Sequence, residues 1–439
     1  MNKQSLNLTR KFSEVWVPAI SYISKMLMLS SSVLPLFYFL AAIAIWLGLA
    51  SLRGGVRFVR YLQAELANDY PEFTPFVSLF VPCRGLDEGL RQNIEAIFEQ
   101  DYPSFEIVFV TDSREDPALR IIDEARRSFA GESGPTMQVV IAGVATDSGQ
   151  KVHNLRVAVS HADRQSEVFV FVDTDARPSA HWLRSLVAPL RDQGIGAATG
   201  YRWFVPVKGG LASHLRAVWN SSIASALGAA EKNNFCWGGS TAIRRATFHD
   251  CRVREYWRGA VSDDFALTRA LHEADLSIKF IPQCLTPSFE DCRWRELVEF
   301  TNRQMKITRA YAAHLWKGVL FGSAIFVLVF FGGIVLVVAR ALVGLSFGTP
   351  LLILLIIFAM GAMKAHFRLR AVALAIDDQR IRSLGTTLAH LLLWPFASLL
   401  YLCNALAATF SRRITWRGIS YELKSASETV IIRRESDKL

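Results

Sequence analysis

The sequence predicts an α/β domain set between apolar segments long enough to cross a membrane, and three observations carry that prediction. The first is Val168-Phe-Val-Phe-Val-Asp-Thr-Asp-Ala-Arg177, an apolar run that ends abruptly in Asp173 and Asp175. Five consecutive apolar residues without alternation suit a strand buried on both faces, as in a parallel sheet covered by helices. The second is the alternation of strand-like and helix-like patterns from Arg53 to about His314. The third is the presence of long uncharged stretches on either side of that region.

Composition agrees. The 439 residues leave room for two or three domains. At 51% hydrophobic and only 20% charged, the chain is too apolar for an ordinary soluble enzyme. Its net charge of +10 comes from 49 Lys and Arg against 39 Asp and Glu. On so apolar a chain this surplus points to basic residues facing anionic lipid headgroups. No basic stripe interleaved with stacking aromatics is present, so nucleic acid is not an expected partner. Six cysteines without C-x-x-C spacing indicate neither a zinc site nor a redox pair, and fit reduced thiols in a cytosol-facing protein.

In chain order, residues 1–25 form a polar N-terminal segment expected at the membrane surface. Residues 26–52 carry no charge and read as a membrane helix, too long for a signal peptide and without its cleavage site. Within 53–314, strands are expected at Phe76–Val81, Glu106–Val110, Met137–Ala142, Val168–Val172, Ile195–Val205 and Ser277–Pro282. Helices are expected at Leu86–Gln100, Ala118–Phe129, Asn154–His161, His181–Gln193, Leu211–Ala230 and from Val261 to Ala274. Phe235-Cys-Trp-Gly-Gly-Ser-Thr241 reads as a Gly-rich turn, and Glu296–Tyr311 as a basic amphipathic helix leading to the membrane. Residues 315–410 hold three further apolar stretches, 319–338, 341–363 and 384–410. Basic residues flank both sides of the last, which suits a re-entrant or interfacial segment better than a clean span. Residues 411–439 are left as a basic C-terminal tail.

Chemistry gathers at the expected strand ends and helix starts. Ligands of open α/β sheets bind outside the carboxyl ends of the strands, which is where Asp112, Asp173 and Asp175 fall. Residues i and i+2 of an extended segment point the same way, so Asp173 and Asp175 repel unless a cation lies between them. Mg²⁺ or Mn²⁺ carrying phosphate oxygens is the natural guest, since such ions take one or two protein carboxylates. Asp263 and Asp264 open a helix, and Arg303 and Lys306 lie on the last helix before the membrane. Each group has an ordinary alternative: turn-forming aspartates, first-turn acids of a helix, or cations of an interfacial helix.

Taken as an ordered set, these segments resemble family 2-type glycosyltransferases of GT-A fold, and within them the ceramide glucosyltransferase-like branch. The set comprises Asn93-Ile-Glu-Ala-Ile-Phe-Glu-Gln-Asp-Tyr-Pro103, Val110-Thr-Asp-Ser-Arg-Glu-Asp-Pro-Ala118, Lys151-Val-His-Asn-Leu155, Val172-Asp-Thr-Asp175, Gly238-Gly-Ser240 and Val261-Ser-Asp-Asp-Phe265. The resemblance implies a Rossmann-like GT-A domain for nucleotide-diphospho-sugars. It implies that Asp112 and Lys151 bind the nucleotide, that Asp173 and Asp175 hold Mn²⁺ or Mg²⁺ on the diphosphate, and that Arg303 and Lys306 add cations there. Asp264, with Asp263 as the alternate, takes the place of the general base. The implied reaction is an inverting, metal-dependent transfer of a hexose, glucose or similar, from a UDP-sugar to a lipid hydroxyl of ceramide-like type.

One position departs from the family's pattern. Gln/Arg-x-x-Arg-Trp is replaced by Arg303-Gln-Met-Lys306-Ile307, so the aromatic face is missing and a Lys stands for an Arg. Two rival readings are a processive polysaccharide synthase, which needs helices enough to enclose a pore, and an inactive nucleotide- or lipid-binding scaffold on the same fold. Because such donors are made in the cytosol, a multi-pass integral membrane protein with a cytosolic catalytic domain is expected, on the inner membrane in a bacterium.

Overall fold

The computed structural model describes residues 33–129 and 134–434. The expected N-terminal surface segment and the start of the first apolar run lie outside the described residues. The chain enters through helix α1 (Val33–Leu66), followed by β1 (Val77–Pro82), α2 (Leu90–Phe98), β2 (Phe105–Thr111), α3 (Ala118–Ser128), β3 (Thr136–Ile141), α4 (Gln150–Ala158) and β4 (Val168–Val172). Then come α5 (Trp182–Val187), β5 (Ile195–Val205), α6 (Leu211–Ala224), β6 (Ser240–Arg244), α7 (Arg245–Asp250), α8 (Val253–Tyr256), α9 (Asp263–Glu273) and β7 (Ser277–Phe289). The long helices α10 (Trp294–Tyr311), α11 (Ala313–Leu342), α12 (Gly348–Ala375) and α13 (Leu384–Phe410) precede β8 (Arg413–Trp416), β9 (Ile419–Ser425) and β10 (Glu428–Arg434).

Among the described residues seven strands form one sheet in the order β3-β2-β1-β4-β6-β5-β7. β1, β2, β3 and β4 run parallel, β6 lies antiparallel between β4 and β5, and β7 returns parallel to β5. This is the GT-A type of α/β architecture that the motifs imply. Every residue of β2 and β4 is buried, as unbroken apolar runs require. Because the chain moves outward from β1 through β3 and then restarts on the other side at β4, the β1/β4 boundary is a topological switch point. β4 is braced from below by Phe169 and Phe171, which pack with Phe80, Phe248 and Trp257 at ring separations of 5.3–5.5 Å for the contacts Phe80–Phe169, Phe80–Phe171 and Phe171–Trp257. Each such ring contributes roughly 1.5–3 kcal/mol through burial, so the strand end that carries Asp173 is rigidly held. α3 shows the local logic of the surrounding helices: Asp116 accepts from Ala118 N at 2.9 Å, Ala118, Ile122 and Ala125 face the core, and Arg126 and Arg127 close the last turn.

Three differences from the sequence expectations matter. First, α1 does not stop at Leu52 but continues to Leu66, carrying Arg53, Arg57 and Arg60 along the helix. The Gly54-Gly55 pair weakens the helix there without ending it, and the end is anchored to the sheet: Phe58 and Leu62 are buried, and Tyr61 donates to Phe280 O at 2.6 Å. Second, the Gly-rich turn leads into a true strand, β6, which pairs with both β4 and β5. Third, the basic tail is a folded three-stranded antiparallel sheet, β10-β9-β8. Ile414, Ile419, Tyr421 and Leu423 alternate inward and pack on Val261 and Ile307. Gly259, at φ +69°, lies so close to Ser427 O that any side chain there would collide with it, which seats the small sheet against the α/β domain.

Among the described residues four helices, α1, α11, α12 and α13, are long and apolar enough to cross a membrane. α13 also lies along the α/β domain. His390 stacks on Trp203, Tyr401 stacks on Trp219 at 4.7 Å, and Asn404 donates to Thr301 Oγ1 at 3.1 Å.

Candidate active site

The carboxyl ends of β1 and β4, the start of α9 and the inward face of α10 surround one cavity of about 1910 Å³. Lys151, Asp173, Asp175, Asp263, Asp264 and Arg303 all line it. The cavity continues between the long helices as far as Phe326 and Trp394. It exceeds the roughly 300–1,000 Å³ typical of one small ligand.

Lys151 is the hub. Its Nζ lies 2.7 Å from Asp173 Oδ1 and 3.2 Å from Asp263 Oδ1, joining the end of β4 to the start of α9. Burial disfavours its charged form, yet Asp173, Asp263 and Asp264 outweigh burial and hold the ammonium well above the usual lysine range. Asp263 shows the reverse balance. Burial pushes its carboxyl up to about 6, against the pull of Lys151, with Asp264 and Asp173 adding to the rise. Trp257 Nε1 donates to Asp263 O at 3.0 Å, so the aromatic layer under β4 also fixes the first turn of α9. Gly238 passes so near Asp263 and Lys151 that a side chain at this position would overlap both.

Asp264 is more open than Asp263. It receives Ser262 Oγ–H and its neighbour's N–H (Phe265 N, 2.8 Å) on Oδ1, and Oδ2 faces Gly238 N at 3.4 Å. The two carboxylates of Asp173-Thr-Asp175 are gripped from β5 by Arg202. Its guanidinium meets Asp175 at 3.1 and 3.3 Å through both oxygens and approaches Asp173 at 3.6 Å. Burial works against ionisation of Asp175, but Arg202, Arg417 and Lys151 together hold its carboxyl below the usual range. Thr174, pointing the other way, donates to Asp87 Oδ2 at 2.8 Å.

Two expected site residues lie elsewhere. Asp112 is not in the cavity wall; it is ion-paired with Arg84, which is. Lys306 is turned from the cavity and donates to Arg413 O at 2.8 Å, so this cation fastens the C-terminal sheet. Its expected place in the cavity is taken by Arg417, at the tip of the β8–β9 hairpin. Arg417 and Gly418 form the two-residue turn at φ +49° and +74°, a backbone that matches the strand twist and projects the tip. The Arg417 guanidinium pairs with Asp87 and its carbonyl accepts from Arg84 Nε at 3.1 Å. The neighbouring Trp416 places its ring 5.5 Å from the Arg303 guanidinium. An aromatic face thus stands beside Arg303 even though Ile307 replaces the family's Trp. Arg303 makes no ion pair among the described residues, and burial, with Arg202 and Arg417 nearby, pulls it down to about 10.

Arg202, Arg417 and Trp416 were not identified from sequence. A lone Arg inside the apolar strand Tyr201-Arg-Trp-Phe-Val205 was one available signal. The alternating Arg413-Ile-Thr-Trp and Ile419-Ser-Tyr-Glu-Leu around Arg-Gly was another, since it has the pattern of a hairpin.

Among the described residues no three His, Cys, Asp or Glu side chains form a metal-binding group. Asp173 and Asp175 nonetheless fit a hard divalent ion whose remaining ligands come from a diphosphate and water. Each carboxylate oxygen has a lone pair beyond the one its cation uses.

The chain is 31% identical over 84 residues to Ceramide glucosyltransferase 1 of Caenorhabditis elegans, spanning 19% of this chain and 17% of that relative. Among solved structures it is similar to a mannosyltransferase from Pyrobaculum calidifontis in complex with GDP-Man and Mn²⁺, with 19% identity over 84% of this chain and 98% of that one, at a TM-score of 0.46. It is also similar to glucosyl-3-phosphoglycerate synthase from Mycobacterium tuberculosis in complex with Mn²⁺ and UDP-Glc, with 14% identity over 58% and 83% of the two chains, at a TM-score of 0.35. Residues 36–429 match the family model described as Glycosyl transferase family 21, and the chain belongs to that family of glycosyltransferases.

Proposed function

We propose that this glycosyltransferase is an inverting, metal-dependent enzyme of the membrane that moves a hexose from a UDP-sugar to the hydroxyl of a ceramide-like lipid. The observation that carries this reading is the Lys151 bridge between Asp173 and Asp263, which sets the diphosphate end and the proton-accepting end of the site side by side. The cavity then continues among the membrane helices, where an acyl chain belongs.

In this reading Asp264 is the general base, because it is open to the cavity while Asp263 is committed to Lys151. Asp264 takes the proton of the acceptor hydroxyl as its oxygen bonds to the anomeric carbon. The bond from that carbon to the diphosphate oxygen breaks, and its electron pair leaves with UDP. Displacement from the opposite face inverts the anomeric centre and needs no covalent nucleophile. Lys151, Arg202, Arg303 and Arg417 meet the negative charge that builds on the leaving group. A Mg²⁺ or Mn²⁺ ion held by Asp173 and Asp175 would supply further charge neutralisation there when bound. Arg84, held in place by Asp112, meets the nucleoside side of the donor. The donor's cytosolic origin puts the catalytic domain in the cytosol.

The test is to incubate purified protein in detergent with labelled UDP-sugars, Mn²⁺ and a lipid extract, and to identify the lipid product by mass spectrometry and its anomeric configuration by NMR. An inverted glycolipid is expected. A product of retained configuration, or sugar released only to water, would refute the mechanism.

A further inference from the structure

At the membrane end of the cavity, Lys364 and Arg368 lie one turn apart on the same face of α12. Residues 341–363 are uncharged, so Lys364 stands where the apolar run ends. The protein gives these cations only hydroxyls. Lys364 Nζ donates to Ser51 Oγ of α1 at 2.5 Å, and Arg368 Nη1 donates to Ser221 Oγ of α6 at 2.7 Å. Neither makes an ion pair among the described residues. Arg368 is only 6% exposed, and its Nε has no hydrogen-bond partner. The indole N–H groups of Trp219 and Trp394, which also line the cavity, lack acceptors too.

Elsewhere among the described residues the inward-facing cations, Arg303 apart, are matched. Lys151, Arg202, Arg216 and Lys279 each meet a carboxylate within 3.2 Å. Two neighbouring cations kept from water without an acid are costly, and basic pockets between membrane helices are places where anionic headgroups bind. Lys and Arg together offer eight N–H donors, of which the protein engages two through the serines. A group with several acceptor oxygens satisfies the remainder.

We propose that Lys364 and Arg368 bind the phosphate of an anionic membrane lipid at this end of the cavity, beside the place of the acceptor. The inference rests on the membrane-bound reading and adds to it a lipid site distinct from that of the neutral acceptor.

The test uses the full chain in neutral detergent with three probes: phosphatidylglycerol, which carries a phosphate and free hydroxyls; diacylglycerol, which carries a hydroxyl and no phosphate; and inorganic phosphate. Binding is read by native mass spectrometry. Phosphatidylglycerol is expected to bind at least about thirtyfold more tightly than diacylglycerol. That preference is expected to vanish in Lys364→Gln/Arg368→Gln and to persist in Lys364→Arg/Arg368→Lys. Equal binding of the two lipids by the unmodified protein overturns the proposal, as does a preference that survives the glutamine pair. Inorganic phosphate binding as tightly as the phospholipid would mark a free-anion site and overturn the lipid assignment. Should the glutamine pair fail to fold, the two-lipid comparison on the unmodified protein still decides. UDP affinity is measured on the same samples. Its absence would strike the transferase reading itself, whereas intact UDP binding without lipid preference strikes only this inference.

Discussion

The two ends of the cavity are built on opposite electrostatic plans. At the sheet end, acids and bases interlock: Lys151 with Asp173 and Asp263, Arg202 with Asp175, Arg417 with Asp87. At the membrane end, Lys364 and Arg368 meet only serine hydroxyls. The sheet end is therefore preorganised before any ligand arrives, with Arg303 as its spare cation, while the membrane end is completed by what binds there. Preorganised charge serves a reaction in which charge moves during the chemical step. Unmatched charge serves recognition.

Substitutions at the sheet end sharpen that contrast. The largest effect is expected from Asp264→Asn. Loss of the base should lower sugar transfer about 10²- to 10⁴-fold while UDP affinity by calorimetry stays unchanged. Full activity in this variant would remove Asp264 from the base role. Next is Asp175→Ala, which strips Arg202 of its two-oxygen partner. UDP binding should weaken roughly 10- to 100-fold in the presence of Mn²⁺, with the gap narrowing when the ion is chelated. An equal affinity in both proteins would end the metal role. Arg417→Ala should raise the donor KM by roughly tenfold, with partial recovery in Arg417→Lys, because the lysine keeps the charge but not the fork. An unchanged KM would mean that the hairpin tip is merely a clasp on Asp87.

The smallest effect concerns pH. In the folded chain Asp263 keeps its proton up to about 6, above the range in which the unfolded chain releases it. Its contribution to stability is thus full below the ordinary carboxylate value and is lost as the pH rises through about 6. Thermal unfolding in detergent should show that decline in the unmodified protein and a flatter profile in Asp263→Asn. Parallel profiles would place the balance at Asp263 elsewhere.

Much of the sheet end was legible in the sequence because it is written in local patterns. An unbroken apolar strand must be buried, and a pair of carboxylates at its carboxyl end must face the ligand edge, so Asp173 and Asp175 could be located from one ten-residue stretch. Asp263, Asp264 and Lys151 followed from motif order. Lys306 did not, for a geometric reason. It shares α10 with Arg303, but the C-terminal sheet packs over Ile307 and offers the Arg413 carbonyl on the flank where Lys306 emerges. Periodicity along α10 cannot reveal which neighbour will cover a given face.

By itself, then, the sequence determined the α/β class, the apolar helices around it and the strand-end acids, since burial and backbone periodicity act over a few residues. The tertiary structure alone decided that Arg417 and Trp416, more than a hundred residues beyond Arg303, close the same site. It also decided that Lys364 faces Ser51 across 313 positions of chain. Contacts of that range arise from how packed elements meet, and no local pattern of residues encodes them.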